Sequence, residues 1–190
     1  MKTEYLIWCD LETTGLNPVK DKILEIAVII TDMKYEEITR YHALVSNATI
    51  TDMHVKEMHT KTGLLDELAA VEKFPTLKEL TADLNALLPD TNAIYYFAGN
   101  SVDFDMGFLR KHTPDFTAHA SHRKYDTTTL MMAKRIQNPD IEFVMNTKGT
   151  VHRAMDDIEN SLAFARLHFA PKKKLSKWQQ LLRFMGGKDF

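Results

Sequence analysis

The chain lacks the usual marks of a secreted, membrane or zinc-binding protein. It has one cysteine, Cys9, in 190 residues, so no internal disulfide can form. That usage suits a reducing cytoplasm. No Cys/His spacing suits zinc. No stretch approaches the ~18 apolar residues of a membrane helix. The N-terminal apolar run, Tyr5 to Cys9, is stopped by Asp10 and is too short for a signal peptide. Walker loops, Rossmann glycine patterns and Gly-x-Ser-x-Gly elbows are also missing. A dominant charge is absent too: 24 Lys+Arg stand against 26 Asp+Glu, a net −2, so no global basic field is present. The balance is nonetheless uneven. Residues 171–190 hold six Lys and Arg against Asp189, a local +5 that leaves −7 on the rest. A soluble cytoplasmic protein with no membrane association is the expectation.

What is present suffices for one packed domain. Hydrophobic residues make up 44% and charged residues 26%, and a chain of this length buries roughly 70% of its unfolded surface. Residues 5–9 and 23–30 read as buried strands, joined by a turn-rich linker with Gly15, Asn17 and Pro18. A third strand is expected near 40–46, giving an antiparallel meander. Leucines at helical spacing then mark two helices, around 64–71 and 77–88, separated by Pro75 and closed by Pro89. Residues 94–98 read as a strand and 102–112 as a helix. An extended piece near 121–125 precedes a helix that Asp126 caps. Helices over 154–169 and 174–186 end the chain, parted by Pro171. The pattern predicts a mixed-sheet α/β domain over 1–170, with a basic C-terminal helix in 171–190 packing on the domain or on a partner chain.

Three acidic clusters stand out. Asp10 and Glu12 directly follow the first strand, two residues apart, so their carboxylates share a face and repel each other. A divalent cation would offset that repulsion, because hard cations prefer carboxylate oxygen. Asp105 lies in the first turns of the helix after strand 94–98, with Asp103 a competing candidate. His152 sits just before a helix whose first two turns carry Asp156 and Asp157, between which spacing alone does not choose. Beside carboxylates, a histidine suits proton transfer. Four carboxylates and a histidine fit a two-cation arrangement acting on a phosphodiester.

In order and spacing, DLETTGL (10–16), GNSVDFDMGFL (99–109) and HRAMDDIENS (152–161) resemble the three motifs of the DEDDh family of 3′–5′ exonucleases. The resemblance covers about residues 4–170 and, within the family, is strongest to the oligoribonuclease branch. It implies a ribonuclease H-like mixed five-stranded sheet flanked by helices. It also implies hydrolysis of short single-stranded RNA, a possible action on DNA, two Mg²⁺ or Mn²⁺ per site, and a homodimer. Carried across, Asp10, Glu12, Asp105 and Asp157 match the metal ligands and His152 the general base. Leu16 matches an apolar wedge against bases. Ser101, Arg123 and Thr128 match a cap on a 5′ phosphate. Thr14 and, from the HTKTGL segment at 59–64, His59 and Thr62 fall among the substrate-binding positions. His54 and His122 stand where the branch has aromatics. The alternative reading is a general or proofreading-like 3′–5′ exonuclease on single-stranded DNA.

Overall fold

The computed structural model describes residues 2–140 and 152–170. Three strands come first: β1 (Glu4–Thr13), β2 (Ile23–Asp32) and β3 (Glu37–Leu44). They form the expected antiparallel meander. Three helices follow, α1 (Met53–Lys61), α2 (Leu64–Ala70) and α3 (Leu77–Ala86). The leucine spacing marked only the last two, because α1 is mostly polar. Strand β4 (Ile94–Gly99) leads into α4 (Asp103–His112) and the short α5 (Pro114–Ala118), which the sequence reading missed. Strand β5 (Ala120–Asp126), α6 (Thr127–Gln137) and α7 (Ala154–Phe169) complete the described chain. The basic helix expected at 174–186 lies outside the described residues. Asp126 caps α6 as predicted, accepting from Thr129 N at 2.9 Å.

The sheet is mixed and five-stranded, in the order β3-β2-β1-β4-β5, with β4 and β5 parallel to β1. Its faces follow from strand alternation. Ile7, Cys9 and Leu11 join a core with Leu80 and Leu84 of α3, Phe108 and Leu109 of α4 and Phe116 of α5. Leu6 and Trp8 point the other way, onto Ala154, Ile158, Leu162 and Ala165 of α7. Asp10 and Glu12 continue this second series, toward α7.

One expectation is corrected. Asp10 and Glu12 do not follow the first strand; they are in it. Pairing with β2 carries on through Asp10↔Ala27 and Glu12↔Glu25, which keeps the backbone extended. Pairing with β4 stops at Trp8↔Ala98. From Cys9 onward β1 therefore outruns its parallel neighbour, and a notch opens at the carboxyl end of β4, the usual position of ligand sites in such sheets.

Gly99 makes the notch possible. Its φ is +154°, and a Cβ there would lie 2.9 Å from the Cys9 carbonyl oxygen. Only glycine lets the chain turn this close to β1 before entering α4. Thr127 Oγ1 donates to the Gly99 carbonyl at 2.9 Å, and Val102 N donates to Asp126 Oδ2 at 3.0 Å, so the end of β5 braces the turn.

Trp8 anchors the α7 face. It is fully buried, its Nε1 donates to Thr31 Oγ1 at 3.0 Å, and it packs edge-on against Tyr35 and Tyr125. Trp8→Ala should cost about 3–5 kcal/mol of unfolding free energy in denaturant titrations. Lys78→Ala, at an exposed position on α3, should stay within about 0.5 kcal/mol of the parent.

Candidate active site

The notch is a cleft of about 260 Å³ lined by Asp10, Glu12, Asp105, His152 and Asp157, together with Leu16, Asn100 and Ser101. Three separate elements supply the acids. Asp10 and Glu12 come from β1, Asp105 from the first turn of α4, and Asp157 from the first turns of α7. Asp105 is only 3% exposed. Asp103, its competitor, points to solvent and pairs with Lys124. Asp156 is exposed and does not line the cleft, whereas Asp157 does. Glu12, His152 and Asp157 each offer a ligand atom, all within 4.8 Å of one another.

Burial and repulsion dominate the electrostatics. Desolvation, then the charges of Asp105 and Glu12, push the Asp10 carboxyl well above the usual range. Burial and the neighbouring Glu25 raise Glu12 to about 8. Burial raises Asp105 to about 8, against the pull of the backbone amides of Asp105 and Leu11. Among the described residues no lysine or arginine lines the cleft. An all-oxygen donor set, held together against its own repulsion, is what hard divalent cations fit.

Two residues beside the acids adopt left-handed backbone conformations: Ser101 at φ 55° and His152 at φ 51°. Neither is glycine, and such strain persists only where the surroundings enforce it. The strain turns Ser101 and exposed His152 into the cleft mouth. Ser101 Oγ lies 3.4 Å from Thr128 Oγ1, and Thr128 also hydrogen bonds Asn100 Oδ1. These hydroxyls form one polar edge. Leu16, 81% exposed, stands on the cleft lining as an apolar projection.

The other substrate-binding candidates do not line the cleft. Arg123 is exposed on β5, where it acts on the Tyr96 hydroxyl. Thr14 spends its hydroxyl on the 14–22 loop, donating to Asp21 Oδ1 at 3.2 Å and accepting from Lys22 N at 3.0 Å. Thr62 donates to the His59 carbonyl. His59 is fully buried behind the acids: its Nε2 lies 2.9 Å from the Thr13 carbonyl and its Nδ1 3.6 Å from Glu12 Oε2. These three support the floor rather than face its opening. His54 is exposed on α1, and Val55 and Met58 of that helix line the cleft instead.

Sequence reasoning missed Glu25. It is the one charged residue within the apolar run Ile23–Ile30, and that interruption was the available signal. It is 1% exposed and directly opposite Glu12.

The profile of the exonuclease family of the RNase T type matches residues 7–165. The chain belongs to this exonuclease family. The oligoribonuclease of Salmonella typhimurium is 35% identical over 179 residues, covering 86% of this chain and 94% of that protein. The oligoribonuclease of Actinobacillus pleuropneumoniae is 34% identical, covering 92% and 98%. Among solved structures, exonuclease I from Methylocaldum szegediense superposes with a TM-score of 0.68 at 21% identity, over 90% of this chain and 41% of that one. Escherichia coli exonuclease I bound to a dT13 oligonucleotide gives 0.66 at 18%, over 96% and 44%. The chain thus spans less than half of those longer enzymes, which share its ribonuclease H-like fold. It is a 3′–5′ exonuclease by family.

The raised carboxyls set a pH dependence. Glu12 and Asp105 keep a proton to about pH 8 when folded, against ordinary values of 4.5 and 3.8. The folded state binds more protons across that window, so stability falls as pH rises through it. Thermal melts in chelator should show Tm dropping from about pH 5 to about pH 8, and Mg²⁺ should restore it at the upper end. A Tm climbing over the same interval in chelator would contradict the buried acidic set.

Proposed function

We propose that the chain is a divalent-metal-dependent exoribonuclease that trims short single-stranded oligonucleotides from the 3′ end to nucleoside 5′-monophosphates. The observation that carries this reading is the convergence of Asp10, Glu12, Asp105, Asp157 and His152 in one cleft. The four carboxylates would hold two Mg²⁺ or Mn²⁺. Such cations, when bound, neutralise the scissile phosphate and acidify a water. His152, free to solvent beside Glu12 and Asp157, takes the proton of the attacking water on its ring nitrogen. Leu16 packs against the terminal base and sets the register of the cut. The Ser101 and Thr128 hydroxyls bind the 5′ phosphate of a short substrate, with Arg123 supplying charge from β5. Thr14, His59 and Thr62 hold the floor on which the substrate rests.

The oligoribonuclease relatives, aligned over most of the chain, support short RNA as substrate. A homodimer is part of the reading. It is supported by the exposed Met132 and Ile136 on α6 and Leu167 on α7, two helices that pack together. The same reading keeps residues 1–170 as the catalytic domain, 171–190 as a basic C-terminal helix, and the cytoplasm as its location. Among the described residues no helix is long and apolar enough to cross a membrane.

Hydrolysis of 5′-labelled RNA and DNA of about 2 to 20 nucleotides tests the reading, bracketing the ~4–16-nucleotide footprint of general single-strand binders. Rapid cleavage should be confined to the shortest RNAs. Equal attack on all lengths, or on DNA, would transfer the chain to the general exonuclease reading. Asp157→Ala should lower turnover about 10⁴-fold, the scale for a member of a catalytic unit. It should keep a cooperative thermal unfolding transition, so that what is lost is turnover and not the fold. A normal rate would remove Asp157 from the site.

A further inference from the structure

Arg153 directly follows His152 and is the N-cap residue of α7, whose first turns carry Asp157; its guanidinium joins acids from two other elements. Arg153 Nη1 and Nη2 donate to the two carboxylate oxygens of Glu67 on α2, both at 2.7 Å. Its Nε and Nη2 donate to Glu25 on β2 at 3.1–3.3 Å. One guanidinium thus forks onto two carboxylates from two elements, a geometry lysine cannot reproduce. Glu25 does more. Its Oε1 lies 2.6 Å from His42 Nε2, and its Oε2 accepts from Ala154 N at 3.3 Å. Helix α7 has no side-chain cap from its own N-cap residue, Arg153. A buried carboxylate from the sheet therefore satisfies one of its free amides and sits at the positive end of its dipole.

We infer that Arg153, clamped between Glu25 and Glu67, is a positioning residue for the hydrolytic reaction: it fixes the strained backbone of His152 and the start of α7, and so the placement of the His152 ring and the Asp157 carboxylate. The inference rests on the proposed roles of those two residues. Three observations support it. His152 holds φ 51°, a conformation that neighbours must enforce. The Arg153 side chain is only 17% exposed and Glu25 1%, so the contacts between those two are shielded from water. Glu67 lies on α2, directly after α1, whose Val55 and Met58 line the opposite wall of the cleft. The clamp thereby ties one wall to the other and to the floor strand.

The test compares the full-length protein with Arg153→Ala, Arg153→Lys and Glu67→Gln, with His152→Ala as reference. Turnover is measured on a dinucleotide RNA, and Mn²⁺ binding without substrate is followed by loss of the free-ion spin-resonance signal. Misplaced catalytic groups lower kcat rather than raise KM, by up to about 100-fold for a shift near 1 Å. Arg153→Ala should lose about 10- to 100-fold in kcat with KM within about threefold, bind Mn²⁺ severalfold more weakly, and recover with millimolar methylguanidinium. Arg153→Lys, which keeps the charge and loses the fork, should remain impaired. Glu67→Gln removes only the exposed half and leaves the Glu25 pair to hold the fold; it should show a smaller kcat loss of the same kind. Inactive His152→Ala beside fully active Arg153→Ala and Glu67→Gln would overturn the clamp alone. So would a rise confined to KM, or full activity in Arg153→Lys. Fully active His152→Ala would overturn the site reading and the clamp with it.

Discussion

The structure is organised around like charges held together out of water. Burial drives Asp10, Glu12 and Asp105 toward the protonated form, neighbouring acids add to it at Asp10 and Glu12, and Glu25 lies directly across the strand from Glu12. Facing acids in a sheet repel, and burial strengthens the repulsion. No single element could carry this set and remain folded. The load is divided: two acids on a central strand with both faces packed, one on α4, one on α7. Each element is anchored by its own apolar contacts, β1 by Ile7 and Trp8, α4 by Phe108 and Leu109, and α7 by Ile158 and Leu162. The apolar core supplies the stability, and the site spends part of it.

The protein treats its two kinds of buried acid differently. Glu25 is neutralised by protein: Arg153, His42 and an amide of α7 all point at it. Among the described residues no lysine or arginine lines the cleft beside its four acids, where one would compete with a divalent cation for the same oxygens. Had Arg153 reached Glu12 instead, the fold would gain and the site would lose. The cross-strand register decides the matter. Glu25 stands one strand farther from the notch than Glu12, so its carboxylate meets the chain entering α7 while that of Glu12 faces the opening.

Much of this was legible in the sequence, for physical reasons that can be named. The β-branched run at 23–30 and the short apolar strands could pair only as a sheet, and the acids stand where periodicity places a strand or a helix start. The end of β1 was not legible. Asp10 and Glu12 look like a strand's exit, and only pairing with β2 keeps them extended. Helix α1 was missed because its residues carry little apolar periodicity; His59 alone is buried in it. Thr14, His59 and Thr62 are assigned to substrate by motif, yet each side chain bonds backbone or loop. A motif records which residues a site needs, not which of them touch the ligand. Glu25 shows the converse. A lone acid in a buried strand is costly unless paired, so its presence already implied a cation, but the partner lies 128 residues away and only the fold reveals it.

The charge distribution bears on substrate size. A protein that grips a long nucleic acid normally does so through a track of lysines and arginines, each neutralising a phosphate. Among the described residues this cleft has none, and the chain outside residues 171–190 carries −7. A long polyanion would meet net repulsion over most of that body. A substrate of a few nucleotides brings few phosphates, and on the proposed reading these are met locally: the scissile one by cations on the carboxylates, the 5′ one by Ser101, Thr128 and Arg123. In that reading the exposed Leu16 adds an apolar contact to a base, which is indifferent to charge. On the proposed reading, an acidic body around an acidic cleft selects for brevity without measuring length, because each added nucleotide brings a phosphate for which the described lining offers no lysine or arginine.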